Sequence, residues 1–355
     1  MTDWLSTMQQ TFEYYIVDPG TWKDVKKIEN VISSTVNYDE DSETLGSASI
    51  EVTESLDECY IRIYLITIQN GVREKHPLGT FLIQTPSYSF DGKILKITLD
   101  AYTPLLELKE NPTPLGYSIE KNSNIMENAY LITRDNVRAP VVKPKNDKTL
   151  FYDFVANTDD TWISFIYDLI ANANYTLGLD ELGRIIFLPK QDIKTLQPVW
   201  TYDDSNSSIL YPDLSIDRDL YGIPNVVEVI YSSGADNFCV RVENNDENSP
   251  ISISNRGREI TYRVTNPEMI GDPTEENLTN YAEQVLKAAS SLEYTISYTH
   301  GYCPVKIGDC VRLNYEKAGL ENIKAKVISQ SIKCEPGCPV TEKAAFTDNL
   351  WEGLK

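Results

Sequence analysis

The sequence predicts a mainly β protein with α+β insertions: two tube-like antiparallel β-barrel or sandwich domains flanking a small helix-plus-hairpin domain. Three observations carry this. Short β-branched and aromatic runs with period-2 alternation fill both ends of the chain. Helical periodicity replaces them in the middle of the chain and again near residue 280. Tyrosine outnumbers phenylalanine 22 to 9, and tyrosine suits half-exposed strands, where one end of the side chain is apolar and the other wet. The expected division is 1–105 for the first β domain, 106–149 for an irregular connector, 150–200 for the α+β domain and 201–355 for the second β domain. A chain of 355 residues has ample core-building capacity for this.

Taken in order, "TFEYYIVD" (11–18), "SASIEVTE" (47–54) and "YIRIYLITI" (60–68) read as strands. In the second, Ala48, Ile50 and Val52 share one face. Asn70-Gly71 and Asp91-Gly92 each sit between apolar runs, and both dipeptides tolerate the positive φ of a type I′ hairpin turn. Five prolines between Pro104 and Pro144 break up the connector, with a short helix expected near 122–132. Trp162, Ile163, Phe165, Ile166, Leu169, Ile170 and Ala173 recur at helical spacing, and Asp159 or Asp160 is the expected cap. "YTLGLDELGRIIFLPK" then reads as strand, turn at Asp180–Gly183, and strand.

Beyond residue 198, "NVVEVIYSS", "FCVRVEN" and "REITYRVT" are strand candidates. A helix spans 273–290, with Asp272 as cap, Pro273 at the first helical position and Glu275 completing a capping box. Its apolar stripe is Leu278, Ala282, Val285, Leu286 and Ala289. "YTISYTHGYCPVKIGDCVRLNY" (294–315) reads as a hairpin of a half-buried sheet. Tyr294, Ile296 and Tyr298 line one face, "HGYCP" turns, and Val311, Leu313 and Tyr315 point inward after Gly308-Asp309. In this reading His300 and Cys303 are incidental to a scaffold.

Formal net charge is -21, which repels phosphates, so specific nucleic-acid binding is not expected. The start, "MTDWLSTMQQ", has neither a basic nor an apolar leader region, so no signal peptide is expected. No apolar run is long enough to span a bilayer, so stable membrane insertion is not expected either. Synthesis in the cytoplasm and reduced cysteines follow from this.

Cys303, Cys310, Cys334 and Cys338 together could hold zinc, but their first spacing is too wide for the usual paired signature. Free thiols are the expected reading, with a redox-active Cys334–Cys338 pair as an alternative. A Cys–His dyad would need His300, beside Cys303 in sequence, or His76, which reads as a loop residue before Pro77. Fifty-three acids make chance carboxylate pairs uninformative about glycosidase chemistry. No phosphate-binding glycine loop, zinc-protease or serine-hydrolase motif is present. No catalytic, cofactor-binding or metal residue is therefore assigned, no cofactor is expected, and the chain is expected not to be an enzyme.

"HPLGTFLIQTPS" (76–87) with "LDAYTPLLELKEN" (99–111) resembles the first β domain of phage baseplate or tail-tip hub proteins. "TWISFIYDLIANANYTLGLDELGRIIFLP" (161–189) resembles their helix-plus-hairpin domain. "IPNVVEVIY" (223–231) with "NSPISISNRGREIT" (248–261) resembles strands of their second β domain, and the helix at 274–290 followed by "YCPVKIGDCVRLNY" closes the series. Such hubs occur in contractile phages, defective prophages and tail-like bacteriocins of Gram-positive bacteria. The resemblance implies a structural homotrimer in the virion tail or baseplate. Each protomer gives two tube-like domains to a pseudo-sixfold ring. That ring joins the hexameric tail tube, or a distal tail protein, to a trimeric spike, contacts other baseplate proteins, and leaves a channel for DNA or tape-measure protein. An acidic lumen would keep DNA mobile. A receptor- or carbohydrate-binding baseplate component, with tyrosine-rich strands as the sugar platform, is the second reading. A peptidoglycan-degrading tail enzyme is the third.

Overall fold

The computed structural model describes residues 2–349 except 91, 192, 194, 206, 219, 234, 235, 266 and 268–273. The N-terminal strands are β1 (Gln9–Asp18), β2 (Lys23–Ile28), β3 (Val31–Asp39), β4 (Gly46–Val52), β5 (Tyr60–Gln69), β6 (Val72–Phe90) and β7 (Leu95–Tyr102). The middle of the chain carries α1 (Leu106–Glu110), β8 (Ser118–Ile119), α2 (Ile125–Asn136), β9 (Phe154–Val155), α3 (Trp162–Ala171), β10 (Tyr175–Leu179) and β11 (Ile185–Pro189). There follow β12 (Trp200–Asp203), β13 (Leu210–Arg218), β14 (Val226–Ser233), β15 (Asp236–Glu243), α4 (Ile253–Arg256), β16 (Thr261–Thr265) and α5 (Glu275–Ala289). The last strands are β17 (Ser291–Gly301), β18 (Cys310–Tyr315), β19 (Leu320–Lys333) and β20 (Pro339–Asn349). Strands hold 48% of the chain and helices 15%, so the mainly β class expected from the sequence is the one adopted.

Two compact units form: Met1–Leu214 with Ser297–Ala344, and Ser215–Ile296 with Ala345–Lys355. The large sheet runs β13-β17-β20-β19-β3-β4-β7-β6-β5-β1-β2, with β12 and β18 branching from β19. It is open at both ends rather than closed into a barrel. β19 makes the junction. Its first part pairs with β18, Cys310 opposite Lys326, and its last part pairs with β3, Ser329 opposite Asp39. Burial alternates through Ala325 and Val327, then slips a residue to Gln330 and Ile332, just where the partner changes.

Local chemistry explains the first strands. β4 alternates as expected, with Ala48, Ile50 and Val52 buried. Asn70 (φ 51°) and Gly71 (φ 78°) turn β5 into β6, closing Gln69 on Val72. Gly92 has φ 93°, and Asp91 of the second expected turn lies outside the described residues. His76 and Pro77, expected in a loop, are inside β6. Proline is tolerated there because the β5–β6 register slips at this point, Ile63 facing Gly79 and Tyr64 facing Pro77. Gly79 has φ 147°, and an added Cβ would lie 2.2 Å from the Tyr38 hydroxyl, which donates to the Leu78 carbonyl at 2.6 Å.

The connector is more regular than its prolines imply: α1, β8 and α2 lie within 106–149. The side chains of Leu108, Ile125, Ala129 and Ile132 share one core with Ile163, Phe165, Ile166 and Leu169 of α3 and with Val17, Tyr60 and Leu82 of the sheet. The apolar set predicted for α3 is buried. Its cap is Thr161, in a capping box with Ser164, not Asp159 or Asp160. Asp160 instead accepts from the Asn157 N–H at 2.7 Å, so its carboxylate serves the turn before the helix.

The β10–β11 turn is fastened to the sheet at the Leu182 carbonyl. This oxygen accepts from Trp22 Nε1 (2.9 Å), Thr80 Oγ1 (2.9 Å) and Arg62 Nη2 (3.3 Å). Buried Arg62 also pairs with Asp24 at 2.8 Å, to which Tyr64 donates at 2.8 Å. Every donor of this node has an acceptor, as burial of a guanidinium requires.

In the second unit, β15-β14-β16 form a small sheet covered on one face by α5. Val227, Val229 and Val240 meet Leu278, Ala282 and Leu286. On its charged side Glu228 pairs with Arg241 (3.2 Å) and Arg263 (2.6 Å). α5 is capped by Thr274, whose hydroxyl accepts from the Asn277 N–H; the expected Asp272 and Pro273 lie outside the described residues. Part of the expected strand run 248–261 is α4 instead, started by the Ser252 side chain and stopped at Gly257. No helix among the described residues is long and apolar enough to cross a membrane.

The Gly79 geometry generates a prediction. Gly79→Ala should lower unfolding free energy by roughly 2 kcal/mol from strain and overlap, and adding Tyr38→Phe should recover part of the loss. Urea titration of both variants checks this; an unchanged midpoint for Gly79→Ala would remove the bulge from the account.

Candidate functional site, a buried polar cluster

The residues weighed for chemistry in the sequence do not gather into one centre. Cys334 and Cys338 lie in the core of the first strands with Ile332, Val340 and Val36. Both are free thiols. Burial pushes Cys334 up to about 11 and Cys338 higher still, which leaves both poorly nucleophilic. Cys310 is buried at the start of β18. His76 is held at 3.0 Å by Thr67 Oγ1 and meets the Trp4 ring edge-on, and burial lowers its pKa. Among the described residues no three His, Cys, Asp or Glu side chains are grouped to hold a metal ion.

His300 and Cys303 do meet, and in unexpected company. His300 ends the inward face of β17, after Ile296 and Tyr298. It is therefore a strand residue, not part of a turn. β17 and β18 do not pair with each other: β17 lies between β13 and β20, and β18 between β12 and β19. The expected hairpin at 294–315 is thus two separate strands, because each finds a longer neighbour elsewhere. Val311 and Leu313 do point inward as expected.

Three strands converge on Glu342 of β20: β12, β17 and β19. Its carboxylate accepts from Tyr298 (2.8 Å), Tyr202 (3.3 Å) and Gln330 Nε2 (2.5 Å) and pairs with His300 Nε2 (3.2 Å). His300 Nδ1 lies 2.6 Å from the Gly301 carbonyl, a contact in which the imidazole must donate. Tyr202 also meets His300 Nε2 (3.1 Å) and Cys303 Sγ (3.2 Å). Gln330 donates its second contact to the Val305 carbonyl at 2.9 Å. His300 and Glu342 are both wholly buried.

The electrostatics follow from this geometry. Burial alone would lower the His300 pKa, but hydrogen bonding to Cys303 and Glu342 and the Glu342 charge outweigh it and raise it to about 10. Burial would raise Glu342, yet bonds from His300, Gln330 and Tyr298 and the imidazolium charge hold it below the usual carboxylate range. Both shifts favour an imidazolium–carboxylate pair. Cysteine, histidine and carboxylate are the residue types of a thiol hydrolase. Here the sulfur is 3.9 Å from an Nδ1 that is committed to Gly301, and the group is closed to solvent. The arrangement acts as an internal clamp on β12, β17, β19 and β20.

Tyr202, Tyr298, Gln330 and Glu342 were missed in the sequence. The available signal was polarity at inward positions: Glu342 between Val340 and Ala344, and Gln330 two residues from Ile332.

Glu342→Gln leaves the imidazolium without a counter-charge and should cost about 3–5 kcal/mol. The raised His300 pKa contributes stability that is complete below about 6.5 and lost as pH rises towards about 10. The lowered Glu342 pKa contributes stability present above the ordinary carboxylate value of 4.5 and lost as pH falls. The wild-type advantage over a His300→Gln/Glu342→Gln double variant should therefore peak near pH 5–6 and shrink towards pH 10. Denaturant titration at pH 4, 6, 8 and 10 checks this; an advantage independent of pH would contradict the ion pair.

No protein-family model matches the chain, and no curated protein matches it in sequence. Solved structures do match in fold. The tail protein from Neisseria meningitidis superposes with a TM-score of 0.65 at 11% identity, covering 95% of this chain and 97% of that one. The 43 kDa tail protein of prophage MuSo2 from Shewanella oneidensis gives 0.62 at 11% identity, covering 94% and 98%. The prophage tail protein gp18 from Listeria monocytogenes gives 0.50 at 11% identity, covering 95% and 94%. The chain has the fold of phage tail proteins.

Proposed function

We propose that this chain is the structural hub of a phage tail or tail-like particle. Three copies form a ring in which the N-terminal strands and the C-terminal strands each supply one tube-like segment, giving pseudo-sixfold symmetry. The ring joins the hexameric tail tube to a trimeric spike and leaves a channel for DNA or tape-measure protein. The observation that carries this reading is the fold likeness to tail proteins across nearly the whole length of both chains. Two features support it further. β19 fuses two sets of strands into one sheet, which provides the two segments that pseudo-symmetry needs. The net charge of -21 suits a lumen past which a polyanion slides without sticking. The clamp around Glu342 has a structural role in this reading, and wall digestion falls to another chain.

Light scattering of the purified chain should give a mass of three 40.2 kDa protomers, and negative-stain images should show a central hole. A monomer that binds cell-wall glycan would favour a receptor-binding component instead.

A further inference from the structure

The outward face of β18 and β19 carries two like charges side by side. Arg312 is paired directly with Lys324, between the pairs Val311–Ala325 and Leu313–Ile323. Val311, Leu313 and Ala325 are buried on the inward face, so Arg312 and Lys324 share the other one. Like charges directly opposite each other destabilise a sheet. On the far side of β18, β12 pairs Thr201 with Arg312, and Thr201 is exposed. A hydroxyl, a guanidinium and an ammonium therefore form one row across three strands.

Among the described residues nothing supplies this row with a counter-charge. Arg312 Nε is shielded from water and has no hydrogen-bond partner, and the guanidinium enters no ion pair. A donor that loses water without gaining an acceptor costs free energy. Lys324 Nζ donates at 3.0 Å to the Leu196 carbonyl, a neutral acceptor. Both side chains are half-buried. Carboxylates along the same strands are engaged elsewhere. Glu40 pairs with Lys326, Asp203 accepts from the Ser205 N–H at 3.1 Å, and Asp309 accepts from the Lys306 N–H at 2.9 Å. Burial raises the pKa of the neighbouring Cys310 thiol, although Lys324 and Arg312 pull it down, so the thiol stays neutral. In a chain with 53 acids against 32 basic residues, two adjacent cations without a carboxylate are an exception.

We propose that Arg312 and Lys324 form a binding site for an oxyanion, a phosphate or a carboxylate. The planar guanidinium offers N–H donors to two oxygens at once, the ammonium adds a second charge, and the Thr201 hydroxyl completes the row. The anion ends the repulsion between the two cations and offsets the cost of the unmet Nε. Its source is either free phosphate or a carboxylate presented by another chain. Nucleic acid is the poorer source of phosphate, because the net charge of -21 repels a polyanion. The site is independent of the ring reading and holds whether or not copies assemble.

Thermal unfolding of the full-length chain tests this, in inorganic phosphate, acetate or chloride at constant ionic strength. Phosphate or acetate should raise the wild-type midpoint saturably, by roughly 4 °C at tenfold excess over the dissociation constant. Arg312→Met and Lys324→Met should each lose most of this shift. Lys326→Met, which removes the lysine paired with Glu40, should keep it. In chloride, Arg312→Met should melt no lower than wild type, because it removes the repulsion and the unmet donor. No saturable shift in wild type, or a shift of equal size in all three variants, would overturn the site, the latter being a general salt effect. A lower midpoint for Arg312→Met in chloride would also overturn it, since the guanidinium would then be satisfied within the fold. Saturation by phosphate with acetate inert supports a free ligand; equal saturation by acetate supports a carboxylate from another chain.

Discussion

One strand serving two neighbours along the same edge is the constraint on which the large unit depends. β19 bonds to β18 through Ala325 and Lys326, and to β3 from Ser329 onwards. A strand buries alternate residues, so a continuous ladder would keep one phase. The slip between Val327 and Gln330 lets the same strand bury Ala325 and Val327 in one phase and Gln330 and Ile332 in the other. Without it, the strands before residue 105 and those after residue 297 would be separate sheets, each with an additional open edge.

The slip also places Gln330 where it can reach Glu342. A carboxylate in a sheet core is tolerable only when its charge is matched and its lone pairs are bonded. Here one imidazole, two phenol hydroxyls and one amide do this, drawn from β12, β17 and β19. A backbone carbonyl of the same unit does likewise: Leu182 gathers donors from Trp22, Arg62 and Thr80. Both points exploit long-range polar convergence to fix where otherwise interchangeable apolar elements meet.

Local features were legible in the sequence. Asn70-Gly71 announced its hairpin, Ala48, Ile50 and Val52 their face, and Trp162 to Ala173 the helix, because each signal depends on neighbours in the chain. Partner choice was not legible. Nothing between Tyr294 and Tyr315 says that β17 and β18 pair with β20 and β19 rather than with each other, since the alternation is equally good for either. Pro77 looked like a loop because its tolerance depends on a bulge opposite Ile63 and Tyr64. Thr161 displaced Asp160 as cap by one residue, a choice that the Ser164 hydroxyl decides. The sequence did not show what His300 and Cys303 meet, because Glu342 lies far along the chain.

As a hub, this chain would form the ring between tail tube and spike. Electron cryo-microscopy of intact particles carrying the chain tests it most directly. The account predicts three copies around the particle axis at that junction, each contributing two sheet segments to a sixfold-like lumen. Copies found only at the particle periphery, or density at the junction that this fold does not fit, would contradict it.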